Sequence, residues 1–285
     1  LNIVSFAMPQ AAYSNPRAYG GWHGADLAVW LVNFVLFDGK MRGLFSFLFG
    51  ASLLLVAGRA EASGRSPARV HYLRMGWLLA FGLAHLWLVW SGDILALYAV
   101  IGVVAFPLRT LPPVRMVILG AMLVALGTLL FASFPAIVHA AGQPTADPAE
   151  AARRAREFAS MQAGFGVPSP ADLARELALY RGSYAGLVAQ RLADHPAGPL
   201  TLVILFGPET LAYMLFGMAA LRAGMLAGTW SAARYRRWLA VCAATALPGY
   251  LALAWYQIAT GFTLFAVTLA LPLAAALRPL AILAW

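Results

Sequence analysis

Apolar residues along this chain gather in continuous runs. The longer ones cover 44–57, 75–90, 94–108, 114–134, 200–221, 238–256 and 262–277, and a shorter one covers 27–37. A helix of about 20 apolar residues crosses a hydrocarbon layer ~30 Å thick. A strand in lipid needs alternating polarity within a closed barrel, and these runs do not alternate. The pattern therefore predicts an all-α polytopic transmembrane helix bundle of about seven spans, with 27–37 short for a crossing and either incomplete or re-entrant. Residues 1–8 read as the tail of a helix and 280–285 as the opening of another, so both ends are expected to be truncated. Three segments follow: an N-terminal bundle over 1–134, an insert over 135–199 and a C-terminal bundle over 200–285.

The insert carries two helix-start signals. Asp147-Pro148 with Glu150 places a capping acid before a proline at the first helical position, and Ser169-Pro170 with Asp172 repeats the device. The second helix is expected to align Leu173, Leu177, Tyr180, Tyr184, Leu187 and Leu192 near one stripe. An amphipathic helix on the membrane surface, or packed on the bundle, fits this better than a lid over an outward-facing site.

Composition agrees with the runs. Hydrophobic residues make up 62% and charged residues 11%, with a mean hydropathy of +0.75; a soluble domain carries roughly a quarter charged residues. The net charge of +9 comes from nineteen Arg and one Lys. Arg59, Arg65, Arg69 and Arg74 share one break between runs, Arg109 and Arg115 another, Arg222, Arg234, Arg236 and Arg237 a third, and Arg278 a fourth, against the single acid Glu61. Of the intervening breaks, 91–93 and 257–261 hold no Arg and the insert is of mixed charge, so these four are expected in the cytoplasm, with 9–40, 91–93, the insert and 257–261 outside. With the arginines confined to loops of this kind, nucleic acid is excluded as a partner; the lipid bilayer is the expected one, with an oligomer left open. Cys242 stands alone, giving neither an intramolecular disulfide nor a metal framework, and no phosphate-binding glycine loop, metal-ligand spacing or nucleophile elbow occurs.

Ionisable residues inside apolar runs are the informative ones, because a charge at the midplane costs at least ~2.5 kcal/mol on insertion scales. Glu209 follows Gly207-Pro208, and a carboxylate beside an expected local opening of the helix suits a proton acceptor, a cation ligand or an arginine partner; otherwise it is a solvated residue near the end of its span. His85 lies within a run and could serve as a general base. Asp93 reads first as the N-cap of the next helix. On an unbroken helix it would stand two turns from His85, close enough for a shared cluster without implying a bonded pair. Arg42 could hold Asp38 one turn away or bind an anionic group, which marks Asp38 and Arg42 as candidate substrate-binding residues. Gly43 and Gly50, with Ser46 between them, offer a small-residue face for close helix packing. His23 and Asp26 precede a helix, with Asp26 an easy N-cap. An interrupted helix at Glu209 would also suit a transporter or permease for a small solute, although no internal repeat is present.

The block from Asp38 to Gly50, the block from Gly82 to Leu95 continued by Tyr98 and Gly102, and the stretches around Tyr180–Tyr184 and Gly207–Met218 resemble the YeiB-like bacterial membrane proteins, a domain-of-unknown-function family. The resemblance covers most of the chain and implies a multi-pass protein of the bacterial plasma (inner) membrane, with further helices before Leu1 and after Trp285. That family is similar to transmembrane acyltransferases, including lysosomal heparan glucosaminide acetyltransferase, which move an acyl group from cytoplasmic acyl-CoA to a sugar across the membrane. Trp22–Leu27 resembles a stretch near that enzyme's catalytic histidine. The resemblance implies His85 or His23 as base, with Asp93 or Glu209 orienting it. It also implies acyl-CoA as donor, with Arg69 and Arg74 near its phosphates, a glycan or similar acceptor, and no metal.

Overall fold

A computed structural model describes residues 3–194 and 198–284. All regular structure among them is helical. The chain runs α1 (Ile3–Ala7), α2 (Gly24–Val32), α3 (Lys40–Ala62), α4 (Pro67–Ala84), α5 (Leu95–Leu108), α6 (Pro113–Ala141), α7 (Pro148–Phe165), α8 (Pro170–Tyr180), α9 (Tyr184–Asp194), α10 (Gly198–Arg222), α11 (Ala232–Ala259) and α12 (Leu264–Leu283). Six stretches are long and apolar enough to cross a membrane: Gly24–Ala62, Pro67–Val89, Pro113–Ala141, Gly198–Arg222, Ala232–Ala259 and Leu264–Leu283. With the apolar helix Leu95–Leu108 beside them, this is a multi-pass helical membrane protein.

Three expectations change. The 27–37 run is no isolated half-span. It forms α2 and the π-helical turn Asn33–Phe37, and it is set off from α3 at Gly39, whose φ of 68° is open to a residue without a Cβ. The 94–108 run is a helix of 14 residues, about 21 Å long, shorter than the hydrocarbon layer. Pro135 does not end α6, which continues to Ala141.

The helices divide into two compact units. One comprises Leu1–Asp38, Thr128–Leu187 and Ala243–Ala281. Within it the loop before α2 is tied down by Asn15, fully buried. Its Nδ2 donates to the carbonyls of Phe165 at 3.1 Å and Phe262 at 3.3 Å, and its Oδ1 accepts from the Arg17 N–H at 3.1 Å. Gln10 N–H donates to Glu176 Oε1 at 2.8 Å. The α7 and α8 part of the insert is therefore tied to the loop before α2. Its caps are as expected: Asp147 accepts from Ala149 N–H at 2.9 Å and Ser169 from Asp172 N–H at 3.1 Å. The single second helix is not; the chain breaks at 181–183 into α8 and α9.

The other unit comprises Gly39–Gly127, Val188–Cys242 and Ile282–Trp285. Its core joins Leu53 of α3, Leu97, Ile101 and Phe106 of α5 and Met214, Leu215 and Met218 of α10. Lipid tails are as apolar as leucine, so packing rather than exclusion from water selects these contacts. A Cβ on Gly50 would meet the Met214 carbonyl, and one on Gly217 the Phe47 carbonyl. The expected small-residue face thus brings α3 and α10 into backbone contact. Gly82 plays the same part between α4 and the start of α5.

Candidate functional site

The polar groups of the second unit collect where α3 and α5 begin and α4 ends. After α4, residues His85–Val89 form a π-helical turn, a feature frequent at functional sites. The chain then reverses through 90–94 into α5. That reversal, and not an unbroken helix, sets the distance between His85 and Asp93. His85 Nδ1 lies 2.9 Å from Asp93 Oδ1, so the two residues form a bonded pair that their spacing alone did not imply. A carboxylate accepts, which assigns the proton to Nδ1 and leaves Nε2 with a lone pair. Asp93 Oδ2 accepts from Ala96 N–H at 2.9 Å. The carboxylate therefore caps the start of α5 and orients the imidazole at once. The Asp93 side chain is 1% exposed and that of His85 33%, so the ring reaches outward from a fixed anchor.

A second cluster joins α3 to α10. Arg42 pairs with Glu209, whose Oε1 also accepts from Tyr213 Oη at 2.9 Å. The guanidinium lies 5.0 Å from the Phe206 ring centroid and reaches Thr210 Oγ1 at 3.5 Å. Glu209 is 2% exposed and is not solvated at a span end. The spacing offered Arg42 the carboxylate of Asp38 one turn away; the carboxylate it meets is that of Glu209, from a helix 167 residues on. Pro208 does not interrupt that helix; α10 runs through it from Gly198 to Arg222. Behind Arg42, its carbonyl accepts from Ser46 Oγ at 2.9 Å and from Tyr98 Oη at 3.0 Å, and these two oxygens lie 2.8 Å apart. Tyr98 belongs to the first turn of α5, three residues after Leu95. Both clusters thus bear on the start of the same helix.

Arg69 and Arg74 are exposed on the opening turns of α4. In the first unit, Asp38 Oδ1 accepts from Tyr13 Oη at 2.7 Å. His23 is exposed, sits at the N-cap position of α2 and lies with its ring centroid 4.0 Å from that of Trp22; Asp26 falls in the first turn instead of at the cap. Among the described residues, no group of three or more His, Cys, Asp and Glu side chains is placed to hold a metal ion.

Three contributors escaped the sequence reading. Tyr213 sits four residues beyond Glu209 on α10, so a search for hydroxyls at helical spacing from an intramembrane acid would have found it, whereas Thr210, the next residue, meets Arg42 from α3 and carries no such signal. His71 lay hidden among the loop arginines. It is buried, its Nε2 is 2.9 Å from the Gly102 carbonyl, and its ring stacks 4.6 Å from that of Phe106. At this same end Arg222 donates to the carbonyls of Leu111 at 2.6 Å and Arg109 at 2.5 Å. The arginine-bearing ends of α5 and α10 are thus joined at the opposite end of the helices from the two clusters.

The chain is 29% identical over 241 residues to the uncharacterized protein YeiB of Escherichia coli K12, covering 83% of this chain and 55% of that one. It is 34% identical over 110 residues to the uncharacterized protein YxaH of Bacillus subtilis 168, covering 39% of this chain and 27% of that one. The chain thus spans about half the length of the first and about a quarter of the second. No family model and no solved structure matches it. With these two relatives, the resemblance carried by the Asp38–Gly50 and Gly82–Leu95 blocks is borne out: the chain is similar to the uncharacterized proteins YeiB and YxaH.

Proposed function

We propose that this multi-pass protein transfers an acyl group from a cytoplasmic acyl-CoA to a hydroxyl or amine of an extracytoplasmic glycan or similar acceptor, with His85 as general base and Asp93 as its positioning residue. The observation that carries this reading is the bonded pair itself. Asp93 is buried and doubly engaged, and it holds His85 Nδ1 at 2.9 Å, which turns Nε2 into the proton acceptor. In the step, Nε2 takes the acceptor's proton as its oxygen or nitrogen attacks the thioester carbonyl. The C–S bond breaks, and the leaving thiolate takes the proton from the imidazolium.

Arg69 and Arg74 are suited to the donor's phosphates, since a guanidinium presents a fork of donors. They open the helix that His85 follows. Sixteen residues separate Arg69 from His85, roughly 24 Å of helix, so the donor's arm would lie along α4. His23 is exposed, with its ring beside that of Trp22, which suits a base less well. For the transporter reading, Glu209 would have to exchange a proton or cation while engaged by Arg42 and Tyr213.

The test is transfer of labelled acyl groups from acyl-CoA to membrane glycans by the full-length protein. His85→Ala is expected to lower turnover by ~10²-fold or more. Full turnover in that variant sinks the assignment of the base. Proton-linked solute flux in proteoliposomes without acyl-CoA consumption overturns the reaction class in favour of a transporter.

A further inference from the structure

The link between α10 and α11 is built as a rigid turn that carries charge outward. Gly224 and Gly228 take φ of 80° and 73°. Thr229 N–H and Oγ1 both donate to the Gly224 carbonyl at 3.1 Å. The Trp230 indole N–H donates to the Ala223 carbonyl at 2.7 Å, and Tyr235 Oη donates to the Met225 carbonyl. The Trp230 ring, fixed in this way, carries the Arg234 guanidinium 3.8 Å from its centroid. The next turn of α11 adds exposed Arg236 and Arg237 and then Trp238 and Leu239, 44% and 50% exposed.

No acid follows Glu209 in the chain, and Glu209 is itself held by Arg42. Among the described residues, no carboxylate pairs with Arg234, Arg236 or Arg237. Arg234 is thus held against an aromatic ring at the foot of an apolar helix, with exposed Arg236 and Arg237 on the next turn and no carboxylate among the described residues paired with the three. An anion at the level where apolar side chains give way to polar ones would complement this charge.

We propose that the segment 223–238 is a docking surface for the headgroup phosphate of an anionic phospholipid, held by Arg234, Arg236 and Arg237 beside Trp230, with the acyl chains along Trp238 and Leu239. Arginine binds phosphate through paired donors, tryptophan settles at the interface, and basic residues near an anionic leaflet each strengthen binding by about fivefold. A phospholipid presents an anion and apolar tails side by side, as the arginines and the Trp238–Leu239 pair do on the protein.

The experiment uses the full-length protein in mixed vesicles of phosphatidylcholine and a photoreactive phosphatidylglycerol. Crosslinks in the wild type are expected to concentrate on 223–239 and to fall by at least about tenfold in the triple variant Arg234→Gln, Arg236→Gln, Arg237→Gln. The triple lysine variant should keep most of the labelling. Added salt should weaken it in the wild type, which keeps the test valid if the glutamine variant fails to fold. Labelling spread evenly over the chain, or unchanged by the substitutions and by salt, overturns the proposal. So does competition by acyl-CoA with no preference for phosphatidylglycerol over phosphatidylcholine, since the surface would then be a nucleotide site.

Discussion

Asp93 Oδ1 and His85 Nδ1 meet at 2.9 Å across the reversal between α4 and α5, while the other carboxylate oxygen caps α5 through Ala96 N–H at 2.9 Å. One buried carboxylate therefore does two jobs, and substitution can separate them. Asp93→Asn keeps an oxygen for the cap and removes the acceptor that fixes the imidazole tautomer. It is expected to lower acyl-transfer turnover by ~10²-fold with stability little changed. Asp93→Ala should lose the same activity and about 1 kcal/mol of stability as well. Turnover in membranes and thermal unfolding in detergent check both. Unchanged turnover in Asp93→Asn would leave Asp93 as a cap alone.

The Arg42–Glu209 pair ties α3 to α10, with the carboxylate buried and the guanidinium partly so. Removing one member leaves the other charge without its partner. Glu209→Gln and Arg42→Met are each expected to cost about 3–5 kcal/mol, while the double variant should recover much of that loss. Thermal unfolding of the four proteins in a double-mutant cycle measures the coupling. Additive losses would mean that the pair does not act as a unit.

At the α3–α10 crossing, Gly217 faces the Phe47 carbonyl and Gly50 the Met214 carbonyl, whereas Gly58 has open space around it. Gly217→Ala and Gly50→Ala are expected to separate the helices at about 1–3 kcal/mol or more. Gly58→Ala, on the same α3, should be neutral or slightly stabilising. Yield and melting temperature in detergent distinguish the three.

Glu150 opens α7 with hydrogen bonds to Arg153 and then to Arg154, and these draw its carboxyl down to about 2 from 4.5. A folded-state value below the unfolded one stabilises the helix above the unfolded value. That contribution is lost as pH falls from about 4.5 through about 2. Hydrogen exchange of residues 148–165, corrected for intrinsic rate, should show wild-type protection decreasing over this window. Glu150→Gln should start lower and change less; identical profiles would remove the pair from the helix's stability.

The sequence by itself determined the class of the protein and most of its helices. Membrane solvation acts residue by residue, so continuous apolar runs were enough to mark the spans. Capping depends on neighbours in sequence, and Asp147 and Ser169 marked the starts of α7 and α8 correctly. The glycines at 43 and 50 announced a close helix contact, though not with which helix. Tertiary structure alone decided the partners. Asp93 reaches His85 because the chain reverses between them; Glu209 reaches Arg42 because α3 and α10 touch along Gly50 and Gly217; Asn15 bridges Phe165 and Phe262, 150 and 247 residues away. A local pattern records which groups require a partner in a medium of low polarity. Which group answers depends on the path of the chain between them, and no window along the sequence contains that path.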